Sequence, residues 1–99
     1  MIALKFEWDV KKAEANVNKH GISFHEAKTV FGDPFARISE DFMHSQYEQR
    51  WYIIGLSAQQ RIIAAAYTES NDVIRIITAR KAEPSERKRY EKIRFNTSY

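Results

Sequence analysis

The sequence predicts an α+β fold in which helices pack on an antiparallel β-sheet, and two features of its hydrophobic pattern support this. Apolar residues recur at helical spacing between about residues 10 and 31, and they alternate as in strands from about residue 35 to residue 80. Turn-forming residues separate the alternating runs at the short distances that hairpins need. Residues 84–94 again have helical character. We therefore expect one domain over residues 1–99 with the element order βααββββα.

The N-terminal part is predicted to form a short strand followed by two helices. Residues 4–8 form the strand, and Asp9 is a suitable N-cap for a helix over residues 10–20. Ser23 and Glu26 have the spacing of a capping box, which predicts the start of a second, shorter helix. The apolar stripe of that helix consists of Phe24, Ala27, Val30 and Phe31.

Four alternating runs predict an antiparallel meander, the last three being joined by short turns. They are FARIS, RWYIIGLS, RIIAAAYTE and DVIRIITAR, which begin at residues 35, 50, 61 and 72. Both faces of this meander are expected to be largely apolar, with Tyr52, Ile54 and Leu56 on one side and Trp51 and Ile53 on the other. Helices must then cover both sides, so we expect the two N-terminal helices on one face and the C-terminal helix on part of the other.

Composition narrows the class of protein. The 99 residues include no cysteine, which excludes disulfides and thiolate metal sites and suits a reducing cytoplasm. The opening MIALKFEWD is charged by its fifth residue and has no long apolar run, so we expect neither a signal peptide nor a membrane span. His20, His25 and His44 lie in separate elements without metal-ligand spacing. We predict a cytoplasmic protein with no metal and no cofactor.

Positive charge is concentrated near the C-terminus. Residues 75–94 contain eight Lys and Arg against three Glu, a local charge of +5, whereas the rest of the chain has 8 basic and 10 acidic residues. Such a patch favours a polyanionic partner, because each cation placed against a phosphate releases counterions. A solvated helix with ion pairs four residues apart would have the same composition, and composition leaves both interpretations open.

Three arginines interrupt or flank apolar strands, namely Arg50, Arg75 and Arg80. Burying a guanidinium there costs free energy unless it is paired with a carboxylate or faces a cleft. Pairing with Glu48 or Glu69 at the margin of the sheet is the alternative that would account for each arginine individually.

Helical spacing in the C-terminal segment predicts which side chains join these arginines. Ala82, Tyr90 and Ile93 are expected to face the sheet together with Glu86, and the opposite, solvated face would present Arg87, Glu91 and Arg94. The predicted cleft is lined by Arg80, Lys81, Glu86, Tyr90 and Arg50.

His44 is the histidine with the most suggestive position. It precedes Ser45, Glu48 and Arg50 in a turn that leads into a strand, where catalytic side chains are often exposed. An imidazole titrates near neutral pH and can transfer protons. A surface histidine that makes a hydrogen bond within the turn is the alternative.

Three further blocks of the chain are distinctive: KHGISFHEAKTVFGDP from residue 19, DFMHSQYEQRWYIIG from residue 41, and RIITARKA from residue 75 with Glu86 and Tyr90 beyond it. Together they resemble the BrnT toxins of bacterial type II toxin–antitoxin modules. The resemblance implies a RelE-like fold and a ribonuclease that cuts RNA and inhibits translation. It also implies a small antitoxin, BrnA, that blocks the toxin and makes the contact with operator DNA. The positions that match the family's blocks are His44, Glu48, Arg50, Arg75, Arg80, Glu86 and Tyr90. Glu83 and Pro84 depart from the Ala-Thr that often precedes the last helix, which bears on the placement of Glu86.

RNA supplies its own nucleophile, so a nuclease without metal needs a base, cations for the charge at phosphorus, and an acid for the leaving oxygen. Arg50 and Arg80 suit the second task because a guanidinium binds phosphate oxygens in a bidentate manner. Glu86 and His44 are the candidates for proton transfer, and Tyr90 is a candidate acid or a stacking surface. Arg80 beside Glu86 would lower the pKa of that carboxylate and oppose its use as a base. The candidates for RNA binding are Arg75, Lys81, Arg87, Lys88 and Lys19.

A non-catalytic module that binds nucleic acid or protein through the same basic groove is the alternative function. Net charge does not distinguish the two, whereas RNA cleavage in EDTA would.

Overall fold

The computed structural model describes residues 4–95, so residues 1–3 and 96–99 of the predicted domain lie outside the described part. The described residues form an α+β fold, as predicted, with a five-stranded sheet and three α-helices. Two 3₁₀ turns, at Val30–Gly32 and Phe42–His44, join these elements. The elements are β1 Lys5–Glu7, α1 Val10–His20, α2 Phe24–Thr29, β2 Arg37–Glu40, β3 Trp51–Leu56, β4 Ile62–Ser70, β5 Val73–Lys81 and α3 Pro84–Phe95. No helix within residues 4–95 is long and apolar enough to cross a membrane.

The sheet is mixed, and the prediction of a wholly antiparallel sheet was wrong at one edge. Its strand order is β1-β5-β4-β3-β2, in which β2 to β5 form an antiparallel meander. β1 instead pairs in parallel with the first part of β5, with Phe6 opposite Ile74. Short turns determine the pairing of consecutive strands only, so they carry no information on the partner of the isolated N-terminal strand.

One face of the sheet, the core face, is covered by α1 and α2. Ile53, Ile63, Ala65, Tyr67 and Ile76 point to this side and meet apolar side chains of the helical region. The buried residues that cover them are Ile22, Phe24, Ala27 and Val30. Burying this apolar surface is the main force that holds the helices on the sheet.

The two N-terminal helices begin at the predicted caps. The Asp9 carboxylate accepts a hydrogen bond from Lys12 N at 3.0 Å, and Ser23 Oγ accepts one from Glu26 N at 3.0 Å. Glu26 does not complete the capping box, because its buried side chain binds Arg61 and Ser57 instead. Arg61 and the hydrogen bond from Ser57 lower the pKa of Glu26 despite its burial.

The opposite face, called the open face below, is polar at its β5 side, which differs from the apolar face that we expected. Strand register places Tyr52 and Ile54 of β3 on this side, together with Ala64, Ala66 and Thr68 of β4 and Arg75, Thr78 and Arg80 of β5. The two alanines are too short to need a helix above them, since larger neighbours on β3 and β5 already bury them. The sheet therefore buries one face and presents arginines on the other.

A β-bulge in β5 determines which residues reach the open face. Thr78 lies opposite Ala66 and Ile76 lies opposite Tyr67, so Ile77 is an additional residue without a partner on β4. Because side chains alternate along a strand, this insertion reverses the facing of every residue after it. Thr78 and Arg80 consequently share the open face with Arg75.

Helix α3 covers only part of the open face. Tyr90 is buried against β3 and the segment that precedes β2, whereas Ile93, which we expected to face the sheet, is 40% exposed. Arg94, expected to be solvated, is half-buried and donates a hydrogen bond to the Tyr90 hydroxyl at 2.8 Å. α3 is thus rotated from the predicted orientation about its axis, with Glu86 and Tyr90 still directed toward the sheet.

Candidate active site

An ion pair joins β5 and α3 on the open face. Arg80 donates hydrogen bonds from Nη1 to Glu86 Oε1 at 2.7 Å and from Nη2 to Glu86 Oε2 at 3.1 Å. The two side chains are 28% and 23% exposed, so the pair borders solvent on the open side. Such a bidentate contact fixes both the position and the plane of the guanidinium.

The pair affects the acidity of both partners. Hydrogen bonding to Arg80 lowers the pKa of Glu86 below its usual 4.5, although partial burial acts in the opposite direction. The same hydrogen bond raises the pKa of Arg80, so the guanidinium keeps its charge. Glu86 is therefore a carboxylate at neutral pH and a weak proton acceptor, as anticipated from the sequence.

The guanidinium of Arg80 also lies near the ring of Tyr52, at 5.8 Å from the ring centroid. Tyr52 is on β3 and faces the same side, with the small side chain of Ala66 next to it on β4. Arg80 thus leans over the low floor that Ala64 and Ala66 provide. Both alanines are 1% exposed, so neighbouring side chains cover this floor.

The backbone that precedes Arg80 is held by a buried side chain of α1. Asn16 Oδ1 accepts a hydrogen bond from Ala79 N at 3.1 Å, and its Nδ2 donates to Ala79 O at 2.8 Å. The side-chain amide thereby pairs with β5 beyond the end of β1, where the strand edge would lack a partner. A third hydrogen bond, from Nδ2 to Ile22 O at 2.8 Å, fixes the orientation of the amide.

Tyr90 belongs to a network that fastens α3 to the sheet. Its hydroxyl donates a short hydrogen bond to the Asp33 carboxylate and accepts one from Arg94 Nη1 at 2.8 Å. Asp33 also accepts from Leu56 N at 2.8 Å and from Phe35 N at 2.9 Å. The tyrosine hydroxyl is therefore committed to an internal carboxylate.

Burial shapes the acidity of this network. Burial raises the pKa of Tyr90, and the hydrogen bond to Asp33 acts in the same direction. Burial also opposes ionisation of Asp33, but the hydrogen bonds from Leu56 N and Tyr90 outweigh it and lower the pKa of Asp33. The network therefore contains a carboxylate and a protonated phenol at neutral pH.

His44 and Arg50 lie together at the beginning of β3. His44 Nδ1 is 3.0 Å from Oδ2 of Asp41, whose side chain is 4% exposed, whereas that of His44 is 59% exposed. Ser45 Oγ closes the loop by donating to Asp41 O at 2.6 Å and accepting from Arg50 N at 3.0 Å. If Nδ1–H donates to the carboxylate, Nε2 is the ring nitrogen available to a ligand.

Arg50 differs from the other two arginines of the predicted set in forming no ion pair within residues 4–95. It precedes β3 by one residue, so alternation places it on the open face beside Tyr52. Its Nε is buried without a hydrogen-bond partner among residues 4–95, and no ion pair within that range includes it. A buried donor without a partner costs free energy.

The other predicted RNA-binding residues do not all lie on the open face. Arg75 is on that face and forms an exposed ion pair with Glu7, rather than with Glu48 or Glu69. Lys81 and Arg87 line a separate groove of about 350 Å³ next to Arg61. Lys88 is exposed on α3, and Lys19 is on α1 in a groove at the outer edge of β5. The structure therefore unites Arg50, Arg75, Arg80 and Glu86 on one face, and it places Lys19 apart from them.

The proton-transfer candidates occupy different parts of the site. Within the described residues, no hydrogen bond or ion pair joins His44 to Arg80 or Glu86. Glu48 lines a groove with Glu7 and Arg75, close to the end of β4. Across residues 4–95, no three His, Cys, Asp or Glu side chains are grouped as metal ligands would be.

Comparison with known proteins identifies the family. The family described as "Ribonuclease toxin, BrnT, of type II toxin-antitoxin system" matches residues 8–86, which is most of the chain. The chain belongs to the BrnT family. The matched segment includes both helices of the core face, all strands from β2 to β5, and the Arg80–Glu86 pair.

A solved BrnT structure has the same fold. The 1.1 Å crystal structure of the Brucella abortus ribonuclease toxin BrnT aligns with a TM-score of 0.63 and 23% sequence identity. The alignment covers 82% of this chain and 99% of the Brucella chain. At this identity the likeness concerns the fold alone. A search of curated proteins found no match.

Three residues that contribute to the site were not singled out from the sequence. Asp33 carries the network that holds α3, Asn16 holds the backbone before Arg80, and Tyr52 lies beneath the Arg80 guanidinium. Asp33 and Asn16 read as a turn residue and a helix residue, and their long-range bonds leave no local pattern. Tyr52 could have been found from the sequence, because residues two apart in a strand point to the same face and Tyr52 is two residues after Arg50.

Proposed function

We propose that this member of the BrnT family is a metal-independent endoribonuclease that acts in the cytoplasm. The single observation that supports this best is the grouping of Arg50, Arg75 and Arg80 on the open face, with a floor of small side chains between them. Membership of a family of ribonuclease toxins makes RNA the expected substrate. The resemblance to BrnT toxins also supports a RelE-like assignment of the fold.

The scissile phosphate is proposed to lie over Tyr52 and Ala66, between Arg50 and Arg80. These arginines are two strands and four residues apart along the sheet, which corresponds to roughly 16 Å between backbone positions. Both side chains are long, and Arg80 already leans toward Tyr52. Reaching inward from opposite sides, they would hold one phosphodiester and stabilise the charge that develops on its oxygens.

We assign proton transfer to His44, with Asp41 orienting the ring. The proton of the ribose 2′-hydroxyl would pass to Nε2 while the 2′-oxygen attacks phosphorus. The 5′-oxygen then leaves and takes up a proton from water, so the products carry a 2′,3′-cyclic phosphate and a 5′-hydroxyl. Glu86, whose pKa is lowered by Arg80, orients that arginine and is the second candidate for the base.

Tyr90 has a positioning role in this proposal rather than that of an acid. Its hydroxyl already donates to Asp33, and this bond determines where the first turns of α3, including Glu86, lie over β3. The ring is 1% exposed, so it offers no surface for a base to stack on.

The partner expected for a type II toxin is an antitoxin. We propose a protein of the BrnA type that covers the basic groove around Arg80, Lys81 and α3 with acidic side chains. Operator DNA would then be contacted by the antitoxin and not by this chain.

RNA cleavage in EDTA tests the proposal. The purified chain is incubated with RNA and EDTA beside Arg80→Ala, Arg50→Ala and the matched control Lys11→Ala, whose lysine is exposed on α1. We expect the unmodified chain and the control to cleave equally and both arginine variants to lose activity. RNA binding without any cleavage would instead support the non-catalytic module.

A further inference from the structure

A second basic groove is lined by Glu86 but not by Arg80. It is a narrow groove between β2 and the first two turns of α3, with a volume of about 80 Å³. Arg37 and Ser39 of β2 form one wall, and Glu86 and Arg89 of α3 form the other. None of the roles proposed above uses Arg37, Ser39 or Arg89.

Strand register places this groove in line with the candidate active site. Arg37 is opposite Ile54, Ile54 is opposite Ala64, and Ala64 is opposite Arg80. The two arginines therefore end one row across the open face, three strand spacings or roughly 14 Å apart. Glu86 contacts both the arginine at one end of the row and the groove at the other.

The charges of this groove are not neutralised within the described chain. Arg61, Arg75, Arg80 and Arg94 each form an ion pair with a carboxylate. Among residues 4–95, by contrast, neither Arg37 nor Arg89 forms one, and both side chains are exposed. Arg89 does lie near enough to Glu86 to contribute to its lowered pKa. Two guanidinium groups and a hydroxyl thus converge with a surplus of positive charge.

We propose that Arg37 and Arg89 bind a second phosphate of the RNA strand, with Ser39 donating a hydrogen bond to it. This inference rests on the proposed function, since it extends the same substrate across the sheet from the position between Arg50 and Arg80. The strand would pass Glu86 on α3 to reach the groove beside β2. Glu86 also lines this groove, but both of its carboxylate oxygens are bound by Arg80, and the phosphate would be held on the side of Arg37, Ser39 and Arg89.

Binding of an RNA that cannot be cleaved tests this subsite directly. A single-stranded 2′-O-methyl RNA is titrated at several salt concentrations with the unmodified chain, Arg37→Ala, Arg89→Ala and the double variant. Lys92→Ala is the matched control, because it removes one exposed charge from the same helix outside the groove. Thermal unfolding of each variant verifies that the fold is retained.

The double variant is expected to bind roughly tenfold more weakly, as for loss of hydrogen bonds to a charged group. A plot of log affinity against log salt concentration has a negative slope, and for the double variant this slope should be shallower by about 0.7, the value for one phosphate of a single strand. The cleavage rate at saturating RNA should stay unchanged, since the subsite is remote from the scissile bond. A series of RNAs is also compared, each with a single methylphosphonate in place of one phosphate. At one position, this substitution should weaken binding to the unmodified chain but not to the double variant.

Affinity and slope equal to those of Lys92→Ala would overturn the subsite, as would a lost cleavage rate with binding retained. Polyglutamate serves as a second probe, titrated with the same variants. If the double variant lost binding to polyglutamate but kept its binding to RNA, the groove would be a protein-docking site and the proposal would be overturned. The two proposals can fail separately. If RNA binding depends on Arg37 and Arg89 but no RNA is cleaved, only the proposed nuclease activity is contradicted. If the unmodified chain cleaves RNA but the double variant binds RNA as tightly, only the proposed subsite is contradicted.

Discussion

Arg75 and Arg80 are five residues apart in β5, and both point to the open face of the sheet. Strict alternation would place residues separated by an odd number on opposite faces. The bulge at Ile77 adds the residue that brings them to the same side. This local irregularity, which is common next to active sites, collects the arginines of the candidate site on one surface.

Replacement of Tyr90 by Phe distinguishes positioning from catalysis. Tyr90→Phe removes the hydrogen bond to Asp33 but keeps the buried ring, so we expect a loss of about 1–3 kcal/mol in the free energy of unfolding. Cleavage by the folded variant should fall only slightly, with the same pH–rate profile. Loss of an acid limb together with a 100-fold or larger fall in rate would identify the phenol as the general acid.

Replacement of His44 tests the assignment of proton transfer. His44→Gln should lower the cleavage rate by roughly 100-fold to 10,000-fold, while RNA binding persists. His25→Gln is the control, because His25 is also exposed but is on α2, on the opposite side of the sheet, next to Trp8. A normal rate for His44→Gln would move proton transfer to Glu86.

The contribution of the Arg80–Glu86 pair to stability should depend on pH. Because the folded-state pKa of Glu86 is lowered from 4.5, the pair stabilises the fold above that pH and loses its effect as the pH falls through the folded-state value. We expect Glu86→Gln to be about 1–2 kcal/mol less stable than the unmodified chain at pH 7, with the difference vanishing at low pH. Urea unfolding between pH 3 and pH 7 measures this. Glu91→Gln, at an exposed position of the same helix, should show no such convergence.

Competition between antitoxin and RNA for one positive surface can be tested on the outer face of α3. Arg87→Glu combined with Lys88→Glu should weaken antitoxin binding in a salt-dependent way and leave cleavage without antitoxin nearly intact. Lys11→Glu with Lys12→Glu on α1 is the matched double reversal. Undiminished antitoxin binding, or a ternary complex with non-cleavable RNA, would place the neutralising contact elsewhere, and the two N-terminal helices would be examined next.

The elements of the fold were predictable where their signals are local. Asp9 caps α1, and Gly21 ends it in the left-handed conformation with φ of 70°, which is a glycine-specific signal. The two-residue alternation and short turns also predicted the meander from β2 to β5. The parallel pairing of β1 was not predictable, because no turn connects it to β5 and its register depends on the tertiary packing of Phe6 against Phe31.

The candidate site was predictable in its residue types but less in its geometry. Helical spacing placed Glu86 beside the strand that ends at Arg80, and the structure has that contact. The bulge at Ile77 has no composition that distinguishes it from a regular strand position, and it decides the facing of Arg80. Glu26 illustrates the same limit, because its spacing from Ser23 predicts a capping box, whereas the fold brings Arg61, thirty-five residues later, to its carboxylate.

The central claim, that Arg80 stabilises charge at the scissile phosphate, is tested most directly by Arg80→Lys. Cleavage of RNA and binding of its 2′-O-methyl counterpart are measured on the same preparation. A lysine keeps the positive charge but not the bidentate fork, so we expect binding to be largely retained and cleavage to fall by roughly 10-fold to 1000-fold. Unchanged cleavage by Arg80→Lys, or an equal loss of binding and cleavage, would contradict the claim and leave Arg80 with a binding or structural role.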